Sequence, residues 1–170
     1  MLSDPHASER RYRPCVGIVL LNAAGLVFMG QRRDSQLEAW QMPQGGIDGD
    51  ETPEQAAFRE LMEETGINTA EMIAEVPGWH SYDLPLEWQG KLWGGGYVGQ
   101  RQKWLVLRFL GQDSEINIMT DEPEFRDWRW VPLAEVTALI VPFKRELYMN
   151  IISEVRRLVS DGCNPAQGDG

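Results

Sequence analysis

Residues Gly45 to Ile67, GGIDGDETPEQAAFRELMEETGI, constrain this chain more than any other stretch. Thr52 suits a helix N-cap, Pro53 the first helical position, and Gln55, three residues on, completes a capping box. Ala56, Ala57, Phe58, Leu61 and Met62 favour or pack a helix, and Gly66 stands where the chain must leave it. The spacing predicts a helix over about residues 53–65. On that helix Glu60, Glu63 and Glu64 lie at i, i+3 and i+4, so all three carboxylates reach one side. Like charges this close repel unless a cation or a solvated face relieves them. A solvated acidic stripe is the commoner outcome for such a face. The glycines Gly45 and Gly46 ahead of the helix weigh against it, because they let the backbone approach a ligand. Mg²⁺ takes several oxygen ligands, keeps part of its water and is often completed by substrate phosphates. Three carboxylates facing a glycine loop meet that need.

The charge balance narrows the partners. A net charge of −10 over 170 residues argues against a broad, sequence-independent grip on a long nucleic-acid backbone. A nucleotide or an RNA end stays open, since metal ions and a few local arginines suffice for its phosphates. The hydrophobic share of 42% and the charged share of 25% are those of a globule with one real core. No stretch approaches the apolar length of a membrane span, and the N-terminus lacks an apolar signal core. Cys15 falls in a strand-like run and Cys163 in a polar tail, which argues against a disulfide framework or a zinc site. The expected setting is a reducing cytoplasm.

Along the chain, residues 1–12 read as a polar tail, and Arg10, Arg11 and Arg13 form a basic patch. Pro14 leads into the strand-like CVGIVLLN, Asn22 to Gly25 reads as a hairpin turn, and LVFMGQRR is the partner strand. Arg32 and Arg33 close it where the chain turns toward the glycine loop, either as surface charge or to reach phosphates. Trp40, Phe58 and Met62 read as packing residues. Residues 71–76 read as a strand. Pro77 to Gly99 reads as one long irregular segment holding three of the seven tryptophans and two of the four tyrosines. Long loops in compact domains are usually functional, and aromatics beside a phosphate site suit stacking on a base. The alternative is a loop pinned by its own aromatics. His80 reads as a surface histidine. Residues 100–110 read as a central strand, 112–124 as acidic turns, FRDWRWV as a strand, and 132–136 as a short helix. A last helix spans about 142–159, with Phe143, Leu147, Ile151 and Val155 as its apolar stripe and Lys144 and Arg145 flanking it. Strands, helix, strands, helix fit an α+β or α/β sandwich with a mixed sheet between helices.

The central stretch carries a resemblance. The Nudix hydrolase signature is Gly, five residues, Glu, seven residues, Arg-Glu, an aliphatic, any residue, Glu-Glu, any residue, Gly, aliphatic. Gly45, Glu51, Arg59-Glu60, Leu61, Glu63-Glu64, Gly66 and Ile67 meet every fixed position. Asp50 before Glu51 departs from the commoner Gly-Glu, without touching the required glutamate. The runs YRPCVGIVLLN, WQMPQGGI, GQRQKW, EFRDWRWV and PFKRELY extend the resemblance over about residues 12–157. They resemble the family branch of bacterial RNA pyrophosphohydrolases and asymmetric dinucleoside tetraphosphate hydrolases.

The resemblance implies a single α/β/α Nudix domain over residues 1–170, with its core at about 12–159. It implies Mg²⁺ or Mn²⁺ held by Glu60, Glu63 and Glu64, with Gly45 in the metal loop and Glu124 as a later ligand or the base. Glu64 is the other candidate base. Arg59 would brace the carboxylates and Glu51 would fix the loop against the helix. Arg13 and Arg33 would reach phosphates, and Tyr82, Lys103 and Lys144 would stand near the substrate. That substrate is either a 5′-triphosphorylated RNA end, cut to a 5′-monophosphate, or diadenosine tetraphosphate (Ap4A), cut to ATP and AMP. Residues 77–103 would discriminate between them. A binding protein on a spent scaffold would have lost a catalytic carboxylate, and none is lost here.

Overall fold

The computed structural model describes residues 11–34 and 39–161. Arg10 and Cys163 therefore lie outside the described residues. Eight strands form one mixed sheet among them. Strand β1 (Tyr12–Leu21) is buried on both faces from Cys15 onward, as a near-continuous apolar run predicts for a central strand. It runs parallel to β7 (Gly99–Phe109), from Tyr12 opposite Gly99 to Leu21 opposite Arg108. The Asn22 carboxamide accepts from the Ala24 and Leu26 amides, which closes the expected turn into β2 (Val27–Arg32). The short β3 (Trp40–Gln41) pairs with β2, and β4 (Gln44–Gly46) lies antiparallel to the start of β1. β8 (Phe125–Val131) pairs with β2, and its tryptophans pack on Phe28, Trp128 stacked at 5.7 Å and Trp130 edge-on at 5.9 Å.

Two helical layers cover the sheet. Helix α1 (Pro53–Thr65) presses Ala56, Ala57 and Leu61 onto Val16, Ile18, Leu20 and Leu105. Its ends are where the capping signals put them. Thr52 Oγ1 accepts from the Gln55 amide at 3.1 Å, and Gln55 Oε1 accepts from the Thr52 amide at 3.0 Å. Gly66 takes φ of +70°, and its N–H returns to the Met62 carbonyl at 2.9 Å. After the short α2 (Val136–Leu139), helix α3 (Arg145–Asp161) covers the other face. Its Tyr148, Ile151 and Val155 pack with Val19, Met29 and Trp104. The result is the expected α/β/α sandwich. No helix among the described residues is long and apolar enough to cross a membrane.

Three expectations are corrected. The segment 77–99 is not wholly irregular: β6 (His80–Asp83) pairs antiparallel with the first residues of β7, while β5 (Ala70–Glu75) pairs with the last. β7 is long enough to take two partners end to end, a fact carried by β7 and not by HSYD. Met62 is 48% exposed and outside the core, because α1 turns Glu64 and Thr65 inward instead. Lys144 does not flank the last helix in solvent. It sits in a one-turn helix before α3 and is buried.

Candidate active site

Arg59 is the hub of the signature helix. Its Nε and Nη2 donate to the two Glu51 carboxylate oxygens at 2.8 and 2.9 Å, a bidentate pair. Nη2 also reaches the Gly46 carbonyl at 2.8 Å. Nη1 donates to Glu60 Oε1 at 3.0 Å and to Glu63 at 3.2 Å. Glu51 in turn accepts from the Asp48 amide at 2.8 Å, which pins the loop to the helix. The Arg59 fork, followed by that backbone bond, holds the Glu51 carboxyl down at about 2.

The three helix carboxylates are not equivalent. The Glu63 side chain is 57% exposed, whereas that of Glu60 is 14% exposed. Glu64 is buried, and its Oε2 finds no hydrogen-bond partner. Burial pushes Glu60 up to about 7, opposed by Arg59 and reinforced by the charge of Glu63. Burial, then the charges of Glu60 and Glu124, push Glu64 well above the ordinary carboxylate range. Only the Gln44 backbone amide, and after it Arg32, pull against that rise. A Cβ on Gly45 would fall inside the Glu60 carboxylate as it stands, so any larger residue here would displace that carboxylate. Arg59 Nη1 bonds both Glu60 and Glu63, and among the described residues no group of three or more His, Cys, Asp or Glu side chains is placed to hold a metal ion.

Glu60, Glu64 and Gly45 open on a cavity of about 920 Å³, with Glu124 on its wall. Arg13, Tyr82 and Lys144 line it too. Four residues of the expected set do not: Arg59 lies behind the carboxylates, Glu63 faces solvent, and Arg33 and Lys103 stand elsewhere. Arg33 is exposed, and its amide donates to the Glu124 carbonyl at 3.0 Å. Lys103 Nζ pairs with Glu75 at 2.7 Å and reaches the Gly78 carbonyl at 3.3 Å. Of the adjacent pair Arg32 and Arg33, it is Arg32, ion-paired to Asp34, that lines the cavity together with Arg13. The β2–β8 pairing slips by a residue between Gln31 and Arg32. Such an irregularity re-aims side chains, so strand alternation could not tell Arg32 from Arg33.

Phe143 and Trp88, edge-on at 5.8 Å, form an aromatic corner of the same cavity. The tryptophan was legible as a loop aromatic. Phe143 read as part of a core stripe, and only its position at the mouth of α3 brings it here. Lys144 Nζ lies 5.1 Å from the Tyr82 ring centroid. Burial, followed by the charge of Arg32, lowers Lys144 to about 7.

Comparison with known proteins agrees with this geometry. A model of the NUDIX domain matches residues 11–151. An RNA pyrophosphohydrolase of Cereibacter sphaeroides is 56% identical over 147 residues, covering 85% of this chain and 91% of that protein. One of Sphingopyxis alaskensis is 56% identical over 150 residues, covering 87% and 95%. Among solved structures, the E. coli dihydroneopterin triphosphate pyrophosphohydrolase superposes with a TM-score of 0.66 at 21% identity, covering 84% of this chain and 97% of that one. A C. elegans Ap4A hydrolase gives 0.64 at 17%, covering 87% and 98%. At such identities the two structures speak for the fold alone. With its signature loop and helix, its sandwich, and a domain match spanning residues 11–151, the chain belongs to the Nudix hydrolase family.

Proposed function

We propose that this protein is an RNA pyrophosphohydrolase that converts the 5′-triphosphate end of RNA to a 5′-monophosphate and releases pyrophosphate. The observation that carries the reading is identity of 54–56% to RNA pyrophosphohydrolases over most of both chains. The intact carboxylate site supports it. Nudix enzymes generally depend on a divalent cation. Two observations support one at this site: Glu64 has a buried oxygen with no partner, and the largely covered Glu60 carboxyl lies against Gly45 at the cost of its ionised form. Glu60, Glu63, Glu64 and Glu124, with Gly45 in the loop, would hold Mg²⁺, or Mn²⁺ in its place. When bound, the ion neutralises phosphate charge and acidifies water.

The chain's own residues do the rest. Arg13, Arg32 and Lys144 neutralise the polyphosphate inside the cavity. A buried lysine lowered to about 7 is recharged by an arriving polyanion. Water adds to phosphorus, the P–O–P bridge breaks, and pyrophosphate leaves. The water proton passes to Glu64 or Glu124, both of which line the cavity. Arg59 keeps the carboxylates apart and touches no substrate. The Trp88–Phe143 corner suits a nucleobase. Arg33 and Lys103 lie outside the cavity and take no part in this step.

The test is a side-by-side rate comparison with Mg²⁺ at matched low concentration. One substrate is a short 5′-triphosphorylated RNA with unpaired 5′ nucleotides, and the other is Ap4A. A kcat/KM at least about tenfold higher on RNA, equivalent to about 1.4 kcal/mol of transition-state preference, is expected. A preference for Ap4A, giving ATP and AMP, overturns the assignment.

The carboxylate site also sets a pH dependence. Glu60 titrates near 7 when folded and near 4.5 as a free side chain. Between those values the folded state holds the extra proton, so the metal-free protein loses stability as pH rises through the window. Thermal melts from pH 4.5 to 7 are expected to show a falling Tm. Mg²⁺ binds the ionised form and restores more at pH 7 than at pH 5. A Mg²⁺ effect equal at both pH values counts against Glu60 as a ligand.

A further inference from the structure

We infer that Trp104 and Gln102 act as positioning residues that fix the direction of a buried amide relay, so that one cavity wall presents hydrogen-bond donors to the polyphosphate. The inference rests on the cavity being the substrate site. Neither residue lines the cavity, and both are fully buried.

The direction follows from the one group in the chain of bonds that cannot reverse. An indole N–H only donates. Trp104 Nε1 donates to Gln102 Oε1 at 3.0 Å, which settles which end of the Gln102 amide is oxygen. The Gln102 NH₂ then points at two acceptors, Gln44 Oε1 at 3.1 Å and Gln100 Oε1 at 2.8 Å. Both of those residues line the cavity. Because Gln102 occupies their oxygens, their NH₂ groups face away from it. The Gln44 side chain also lies within hydrogen-bond reach of the Tyr82 hydroxyl. A reversed Gln102 would set N–H against N–H at Trp104 and turn carbonyl oxygens into the cavity, an arrangement that burial in an apolar core penalises.

A wall of neutral donors suits phosphate oxygens, which only accept, and it adds no charge that must be desolvated. Its contribution is to binding, because it meets the ground state and the transition state alike, so it belongs in KM. Gln44 also ties the relay to the signature loop, since its backbone amide donates to Glu64.

The test compares Gln102→Glu and Gln102→Met with the full-length wild type. The probes are a short 5′-triphosphorylated RNA for turnover and inorganic tripolyphosphate for binding by calorimetry. The carboxylate introduced by Gln102→Glu accepts but does not donate when ionised, so Gln44 and Gln100 turn their NH₂ groups inward and show oxygens to the substrate. Met carries no charge and imposes no direction. The expected result is a KM about tenfold higher for Gln102→Glu and a few-fold higher for Gln102→Met, with kcat within about twofold for both. Tripolyphosphate binding weakens in the same order. A purely structural role lowers Tm and leaves KM unmoved in the variant that folds, and that result overturns the relay. If Gln102→Glu fails to fold, Gln102→Met decides by the same split. A wild type that binds tripolyphosphate and cleaves RNA, beside a Met variant of unchanged KM, sinks the relay alone. A wild type that does neither overturns the cavity assignment and the relay with it.

Discussion

Glu60→Gln is expected to lower kcat/KM on triphosphorylated RNA by about 10²–10³-fold while the protein stays folded. The carboxylate it replaces is held on two sides. Its Oε1 accepts from Arg59 Nη1 at 3.0 Å, and its carboxyl group lies against Gly45 with no room for a Cβ. An amide keeps that shape and can still accept from Arg59, so packing survives. What it loses is an anionic oxygen for a hard cation. Burial already pushes Glu60 up to about 7, so the fold is working against its charge. The substitution should therefore leave Tm unchanged or slightly higher at pH 8, and should remove much of the Tm gain that Mg²⁺ brings. Rates and melts on one preparation check both halves. Activity within about threefold of the wild type would mean that Glu60 does not hold the ion.

Arg59→Met should cost about 2 kcal/mol of stability, read from the urea midpoint, and most of the activity as well. The guanidinium bonds Glu51 through both oxygens, Glu60, Glu63 and the Gly46 carbonyl, all within 3.3 Å. Methionine keeps the stem and removes every donor. Glu51 then loses both its bidentate bonds, and Glu60, without the cation that opposed its rise, is pushed further toward the neutral acid. The 27% exposure of the Arg59 side chain lets water screen part of the loss, which keeps the figure below that of a fully buried pair. Arg59→Lys retains the charge but cannot span Glu51 and Glu60 with one ammonium, so it should recover only part of the stability. A difference under about 0.5 kcal/mol between wild type and the Met variant would show the carboxylates to be held by something else.

How much could be read in advance divides by the range of the interactions. The bounds of α1 were legible to the residue, because a capping box and a left-handed glycine act over three or four positions. The hairpin at Asn22 and the strand Phe125–Val131 were legible for the same reason. The signature carboxylates were legible as a set, since i, i+3 and i+4 share a helix side whatever surrounds them. The burial of Glu64 and the exposure of Glu63 were not. Neighbours in sequence part company where β4, through the Gln44 backbone, meets one of them. β6 was hidden because its pairing is specified by the unused end of β7, a strand well removed along the chain. Arg32 and Arg33 were legible as a pair able to reach phosphates, the resemblance favoured Arg33, and a slip in strand pairing beside Arg32 was beyond what the sequence shows.

By itself, then, the sequence determined the signature helix with its caps through short-range bonds, and a mixed sheet between helices through hydrophobic period, while the α/β/α arrangement and the hydrolytic chemistry were legible through the resemblance carried by the signature. Tertiary structure alone decided which arginine and which lysine enter the cavity and which carboxylate loses its water. It also decided which way the Gln102 amide points. Those outcomes depend on partners such as Trp104, Gln44 and Gln100 meeting across strands, where burial turns a small geometric choice into a large difference in free energy.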